Sequence, residues 1–248
     1  MLATNLELSS NLLLASLPAV HRKALAVDLE RVDLHFKEVI CKPNARDSYA
    51  YFPVQGVCSV IAVNPDKIEI ETGVIGREGF IGTWMVLYSD HSPYEVVVQA
   101  KGRALRVPRA KLLETFEALP LVRMTLLRFV HTFNLQTAHT ALANGYCTIE
   151  QRLARWILMS QDRLCSIDMP ITHEFLARML AVRRSGITDA LHILEGKNAI
   201  RSTRGNVHIK DRSALEIIAK GAYGFPEAEY ERLLGPLDRD VAESLQVA

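Results

Sequence analysis

Between residues 171 and 210 the chain carries side chains suited to reading a polyanion that has a base sequence. Arg183 and Arg184 stand at the start of a helical stretch, Arg184 to Glu195, which Gly196 ends. Within it Ile187, Leu191 and Leu194 recur at i, i+4 and i+7 as an inward stripe, while Arg184, Ser185, Thr188, Asp189 and His192 share the opposite face. That face is short, rich in hydrogen-bonding groups and cationic at its N-terminal end. A helix lodged in the major groove of duplex DNA needs this arrangement, because its first residues reach base edges and Arg pairs bidentately with guanine. Just upstream, Thr172 can cap a shorter helix running to Leu180, with Phe175, Leu176, Met179 and Leu180 turned inward, and Ala181 to Arg183 form a tight connection. Downstream, Ile200 to Thr203 and Asn206 to Lys210 alternate around Arg204-Gly205, a hairpin pattern to which Arg201, Arg204 and Lys210 lend charge. The unit reads as a winged helix-turn-helix with Thr172, Arg183, Arg184, Ser185, Thr188, Asp189, Arg201 and Arg204 as its candidate DNA contacts. A small helical bundle with a solvated face is the plain alternative; it leaves the short turn, the paired arginines and the basic wing without a common cause.

The elements that must position this unit follow from pattern and composition. The 248 residues are 49% hydrophobic and 23% charged, a globular composition with enough apolar side chain for a sizeable core. A formal charge of +1 hides a division: residues 145–222 carry +4 and residues 223–248 carry −4, so a basic segment is masked by an acidic end. From about residue 32 to 108 short alternating runs (Leu34 to Ile40, Val57 to Val63, Lys67 to Ile75, Tyr94 to Ala100, Arg103 to Val107) are broken by turn residues, which predicts a compact antiparallel roll or barrel. In Ile68-Glu69-Ile70-Glu71 the apolar side chains fall on one face and the carboxylates on the other, as a half-wet sheet requires. Pro18 to Val32 reads as a short amphipathic helix ahead of the roll. After Pro108 the period changes. A long helix begins near Pro120, with Val122, Leu126, Phe129 and Phe133 at i, i+4, i+7 and i+11, and Gly145 closes it. Leu121, Met124, Leu127 and Val130 widen its apolar surface, so it must pack against the roll on one side and something else, a second copy of itself, on the other. Thr148 to Leu164 forms a further helix. Residues 221–248, with three glycines and two prolines, read as an appendage with little core of its own.

The segment "ITHEFLARMLAVRRSGITDALHILEGKNAIRS" resembles the winged helix of the Crp/Fnr family of bacterial transcription regulators, and "GREGFIG" followed by "YEVVVQAKGRALRVP" resembles the end of that family's cyclic-nucleotide-binding-like β-roll. The likeness spans roughly residues 20–218. It implies an α+β fold: an antiparallel β-roll (double-stranded β-helix) over residues 1–118, a dimerisation helix over 119–144, a DNA-binding winged helix-turn-helix over 145–222 and an acidic extension over 223–248. It also implies a homodimer joined through Val122, Leu126, Phe129 and Phe133 that binds a palindromic operator in double-stranded DNA and controls transcription in the bacterial cytoplasm. RNA polymerase and a small-molecule effector of unknown identity are the further partners it implies. The family's recognition helix reads DNA with an Arg-Glu-x-x-x-Arg pattern. Here Arg184 matches the first Arg, but Ser185 and Asp189 replace the other two, so only the guanine contact of Arg184 carries over.

Nucleotide-binding members of the family follow a glycine-rich turn with a Glu for the ribose and an Arg-Ser pair for the phosphate. The chain keeps the turn, Gly79-Phe80-Ile81-Gly82, but sets Thr83 in place of the Glu and Tyr94-Glu95 in place of Arg-Ser. A carboxylate where the guanidinium belongs repels a phosphate. The expectation is therefore a regulator whose effector is not a conventionally bound cyclic nucleotide, with Gly79, Phe80, Gly82, Thr83, Tyr94 and Glu95 as the candidate effector pocket; a cyclic-nucleotide-responsive regulator with an atypical pocket is the alternative.

Other chemistries lack their residues. Cys41, Cys58, Cys147 and Cys165 form no CxxC pair and no N-terminal iron–sulfur set, and read as reduced thiols. His173-Glu174 begins like a zinc HExxH site, but Ala177 stands at the second ligand position. His35, His91, His131 and His139 are isolated as haem ligands, so no cofactor and no metal are expected. A cupin-type enzyme would need clustered histidines that residues 32–108, with only His35 and His91, do not hold. A nucleotide-binding subunit without DNA contact would keep the phosphate Arg and lack the winged helix. The apolar run Leu12 to Leu17 stops at Pro18 with no preceding basic residue, which fits neither a signal peptide nor a membrane span.

Overall fold

The computed structural model describes residues 5–237. Three short helices, α1 (Asn5–Ser10), α2 (Leu12–Ala15) and α3 (Ala19–Ala26), open the chain. Asn11 ties them to the sheet: its carbonyl oxygen caps α2 at Leu14, and its amide donates to the carbonyls of Pro53 and Gly79. The helix expected from Pro18 to Val32 stops at Ala26. Leu25 and Leu29 keep helical spacing across that boundary, so the pattern alone overruns it.

Five strands follow: β1 (Glu30–Leu34), β2 (Val39–Cys41), β3 (Tyr49–Val63), β4 (Glu69–Ile75) and β5 (Glu95–Pro108), all antiparallel, in the order β1-β5-β3-β4 with β2 also on β5. The run Leu34 to Ile40 divides into the end of β1 and the start of β2, whereas Tyr94 to Ala100 and Arg103 to Val107 fuse into β5. The first half of β3 is absent from the alternating runs because Pro53 and Gly56 interrupt it. Register breaks at Pro53, Gln55 and Val57 absorb both residues and bend the long β3–β5 ladder into a roll. Gly56 is left-handed (φ 91°), and a methyl group on Gly102 would lie 2.1 Å from the Gln55 carbonyl oxygen, so the strands meet there only as glycine.

Two helices leave the roll, α4 (Arg109–Ala118) and the 27-residue α5 (Pro120–Tyr146). Val122, Leu126, Phe129 and Phe133, expected at a dimer interface, are buried within the protomer. They form the largest apolar stripe of α5, and the roll is the nearest apolar surface. Phe52, Phe80, Phe129 and Phe133 form a run of neighbouring rings with centroids 5.6, 5.5 and 6.3 Å apart.

The C-terminal unit comprises α6 (Ile149–Leu164), β6 (Asp168–Met169), α7 (His173–Met179), α8 (Arg184–Gly196), β7 (Ile200–Thr203), β8 (Asn206–Ile209) and α9 (Arg212–Ala219), with a three-stranded sheet in the order β6-β8-β7. Thr148 and Gln151 form a capping box at the start of α6. Leu153, Ile157, Leu176, Ile187, Leu191, Leu194 and Leu215 make its core, and Ile61 and Val97 of the roll belong to the same cluster. The unit is therefore docked on the sheet.

The last described helix, α10 (Phe225–Leu234), corrects the reading of residues from 221 onward as an appendage. It lies along α5, and Tyr230 and Leu237 are part of the main core. Pro226, Tyr230 and Leu234 recur at helical spacing, a signal hidden by the surrounding glycines and charges. Residues 238–248, which hold Asp238, Asp240 and Glu243 of the acidic end, lie outside the described residues.

Candidate nucleic-acid interface

The turn between α7 and α8 sets the geometry. Thr172 accepts a hydrogen bond from the Phe175 N–H at 3.2 Å and so fixes the start of α7. At its end Ala181 is left-handed (φ 49°), and the Val182 N–H donates to the Ala177 carbonyl at 3.0 Å. Three residues later α8 begins, with Arg183 at its N-cap position. Ile187, Leu191 and Leu194 anchor α8 with no exposed surface. Arg183, Arg184, Ser185, Asp189 and His192 are turned to the other side, all five exposed.

Thr188 sits beside them: its hydroxyl donates to the Arg184 carbonyl at 3.2 Å and lies 3.2 Å from His173 Nδ1. Among the described residues, Arg183, Arg184, Arg201 and Arg204 have no side-chain hydrogen bond or ion pair. Four unneutralised guanidiniums on one small unit form an electrostatic footprint for phosphate. The hairpin β7–β8 turns at Arg204-Gly205, where Gly205 is left-handed (φ 78°). Asp168 holds its base, accepting from Asn206 at 3.2 Å and meeting His208 Nδ1 at 2.9 Å, while Glu195 of α8 accepts from the Ser202 N–H at 2.6 Å. Lys210, expected among the basic groups of the wing, is held by the Asn198 side chain.

The glycine turn of the roll is built differently from a phosphate cradle. A methyl group on Gly79 would lie 2.0 Å from the Phe129 ring, one on Gly76 2.7 Å from Arg163 Cβ, and one on Gly73 2.7 Å from Gln136 Oε1. These glycines let α5 and α6 approach the sheet. Of the candidate effector residues, Phe80 is fully buried between Phe52 and Phe129, Gly82 is left-handed (φ 116°) and Thr83 is buried. Tyr94 packs edge-on to Trp84, and Glu95 is drawn to Arg178 of α7 at 3.4 Å. The cavity beside Glu78, lined also by Gln136, Arg163, Glu227 and Tyr230, measures about 20 Å³, too little for a nucleotide. Phe129 closes over Gly79, and positions 94 and 95 carry Tyr and Glu, so neither sets a cation beside the turn. Among the described residues no group of three His, Cys, Asp or Glu side chains could hold a metal ion, and no helix is long and apolar enough to cross a membrane.

Residues 31–118 match the model of a cyclic nucleotide-binding domain, and residues 151–218 match that of a Crp-like helix-turn-helix domain. The chain belongs to the Crp/Fnr family of transcription regulators. No curated protein matches the sequence of this Crp/Fnr protein. Solved structures similar to it include FixK2 from Bradyrhizobium japonicum, with 15% identity over 79% of this chain and 99% of that one and a TM-score of 0.68. The c-di-GMP responsive global regulator CLP of Xanthomonas campestris gives 15% identity over 77% and 99% with a TM-score of 0.64. A CRP-family transcriptional regulator from Thermus thermophilus gives 20% over 76% and 96% with a TM-score of 0.60. These likenesses concern the fold.

The Crp/Fnr protein also has polar contacts between roll and helix-turn-helix that sequence reasoning missed. Glu78, next to Gly79, accepts from Arg163 of α6 at 2.7 Å, and its carbonyl accepts from the Tyr230 hydroxyl at 2.8 Å. Glu71 of β4, buried, accepts from the Trp156 indole N–H at 2.7 Å; burial pushes its carboxyl up to about 7 despite that hydrogen bond. Arg178 reaches Glu69 at 2.5 Å. The available signal is Glu71 in the alternating run Ile68 to Glu71: alternation alone places its carboxylate on a wet face of the sheet, but α6 covers Glu71 there.

Proposed function

We propose that this Crp/Fnr regulator acts as a homodimer that reads a palindromic operator with α8, and that its effector is not a conventionally bound cyclic nucleotide. The observation that carries the reading is the Arg183–Arg184 end of α8, open to solvent, free of internal partners and backed by a buried stripe. Such a face has no role in the protomer and suits base edges and phosphates. The wing arginines, Arg201 and Arg204, supply contacts to the flanking backbone.

The dimer reading rests on the second face of α5. Met124, Leu127, His131, Asn134, Ala138, Ala141 and Gly145 follow a strict seven-residue repeat, and every one of them is exposed. The repeat tapers from large to small side chains, so two copies can converge toward the helix-turn-helix end. Leu121 extends the apolar start. This seam replaces Val122, Leu126, Phe129 and Phe133 as the surface between protomers. Signal transfer then has two routes: along α5, and through the Glu78–Arg163 and Glu71–Trp156 contacts inside each protomer. A shift in either changes the spacing of two α8 helices that must meet half-sites about 34 Å apart.

Selection of duplexes from a random pool by the full-length protein, over a range of salt, tests the reading. The expected product is a palindrome with half-sites one helical turn apart and strongly salt-dependent affinity. Sedimentation should show a dimer that Leu127→Glu dissociates. Calorimetric titration with cyclic AMP or cyclic GMP should show no micromolar binding; such binding overturns the effector reading.

A further inference from the structure

Asp189 stands among the candidate DNA contacts with the wrong charge for a phosphate. It lies on the same open face of α8 as Arg184, and among the described residues no hydrogen bond or ion pair neutralises it. The other carboxylate of α8, Glu195, is occupied by the Ser202 N–H. Thr188, between Arg184 and Asp189, has its hydroxyl engaged by the Arg184 carbonyl and His173. Ser185 is neutral and both donates and accepts, so it discriminates weakly. With Arg183 at the N-cap ahead of the helix, the charged readers within α8 on this face are Arg184 and Asp189.

A carboxylate is an acceptor only. In the major groove guanine presents two acceptors, thymine an acceptor and a methyl group, and adenine a donor beside an acceptor; cytosine alone offers an amino donor with no adjoining acceptor. Three bases therefore repel Asp189 wholly or in part, and one satisfies it. We propose that Asp189 reads a cytosine amino group, so that each half-site pairs an Arg184-selected guanine with an Asp189-selected cytosine. Five residues of helix advance about 7.5 Å, so the two bases lie roughly two base steps of 3.4 Å apart. The proposal rests on α8 being the DNA-contacting helix.

Duplex selection with full-length wild type, Asp189→Ala and Asp189→Asn tests it, followed by titration of the selected site with each base substituted. Replacing the cytosine should cost the wild type about 5- to 100-fold in affinity. For Asp189→Ala the same replacement should cost less than about 3-fold, while the guanine preference at Arg184 persists and binding to random duplex tightens because a phosphate-repelling charge is gone. Asp189→Asn should shift that position toward adenine, the usual partner of an amide. An Asp189→Ala protein that binds with the wild-type preference at every position overturns the proposal. A wild type that selects no duplex at any salt overturns the DNA-contact reading itself, and the proposal with it.

Discussion

Arg163 Nε and Glu78 Oε1 meet at 2.7 Å with side chains 5% and 3% exposed, so the ion pair joining the helix-turn-helix to the glycine turn is closed to water. Removing one partner strands the other charge in the interior. Arg163→Met should therefore lower stability by about 3–5 kcal/mol, and the Glu78→Gln/Arg163→Met double variant by less than that single change. Urea unfolding followed by circular dichroism measures both. An Arg163→Met protein as stable as the wild type would mean that the pair does not form in solution.

Glu71 makes stability pH-dependent in an unusual direction. Its folded value of about 7 lies above the ordinary 4.5, so between these limits the folded chain holds more of this proton than the unfolded one. Stability then falls as pH rises through that window, by at most ~1.4 kcal/mol per pH unit. Glu71→Gln keeps an acceptor for Trp156 and does not ionise. Denaturation midpoints from pH 5 to 8, compared as differences from wild type, should show the variant gaining relative stability as pH rises; a constant difference would count against a perturbed Glu71.

Gly79 and Phe129 are coupled by contact. Gly79→Ala sets a methyl group into the ring and should destabilise strongly. Phe129→Ala alone leaves a cavity and costs about 3–5 kcal/mol. In the double variant the methyl finds room, so the two losses should fall well short of adding. Thermal unfolding of the four proteins closes the cycle, and strict additivity would show the ring lies elsewhere.

The arginines of the two DNA-facing elements should separate by role. Arg184→Ala is expected to relax specificity at one base pair per half-site and cost roughly 1–3 kcal/mol, whereas Arg204→Ala should weaken binding to all sequences and flatten its salt dependence by about one ion. Gel-shift titrations at several salt concentrations distinguish them. Unchanged operator binding by Arg184→Ala would show that α8 enters the groove in another register.

The winged helix was legible in the sequence because each of its elements is locally specified: a Thr cap at 172, a short turn, a stripe at Ile187, Leu191 and Leu194, and Gly205 at the hairpin. The roll was legible in kind but not in its limits, since the bends at Pro53 and Gly56 look like strand ends unless the pairing partner is known. Helix α5 carries two apolar faces, and nothing local says which meets the roll; the aromatic stripe won because Phe52 and Phe80 were there to receive it. The glycines at 73, 76 and 79 serve Gln136, Arg163 and Phe129 by their small size, and those residues are distant in sequence. Glu71 was read as solvated because its cover, α6, arrives from 85 residues away.

The bond from the Tyr230 hydroxyl to the Glu78 carbonyl spans 152 residues, among the longest separations in the molecule. During synthesis the β-roll and the recognition unit emerge first, and α10 can join them only after both have left the ribosome. Contacts of such high contact order form late and slowly. Assembly of the main core is thus tied to the synthesis of α10, and a nascent chain stopped short of Tyr230 would expose the junction of roll and helix-turn-helix to proteases before any operator is met.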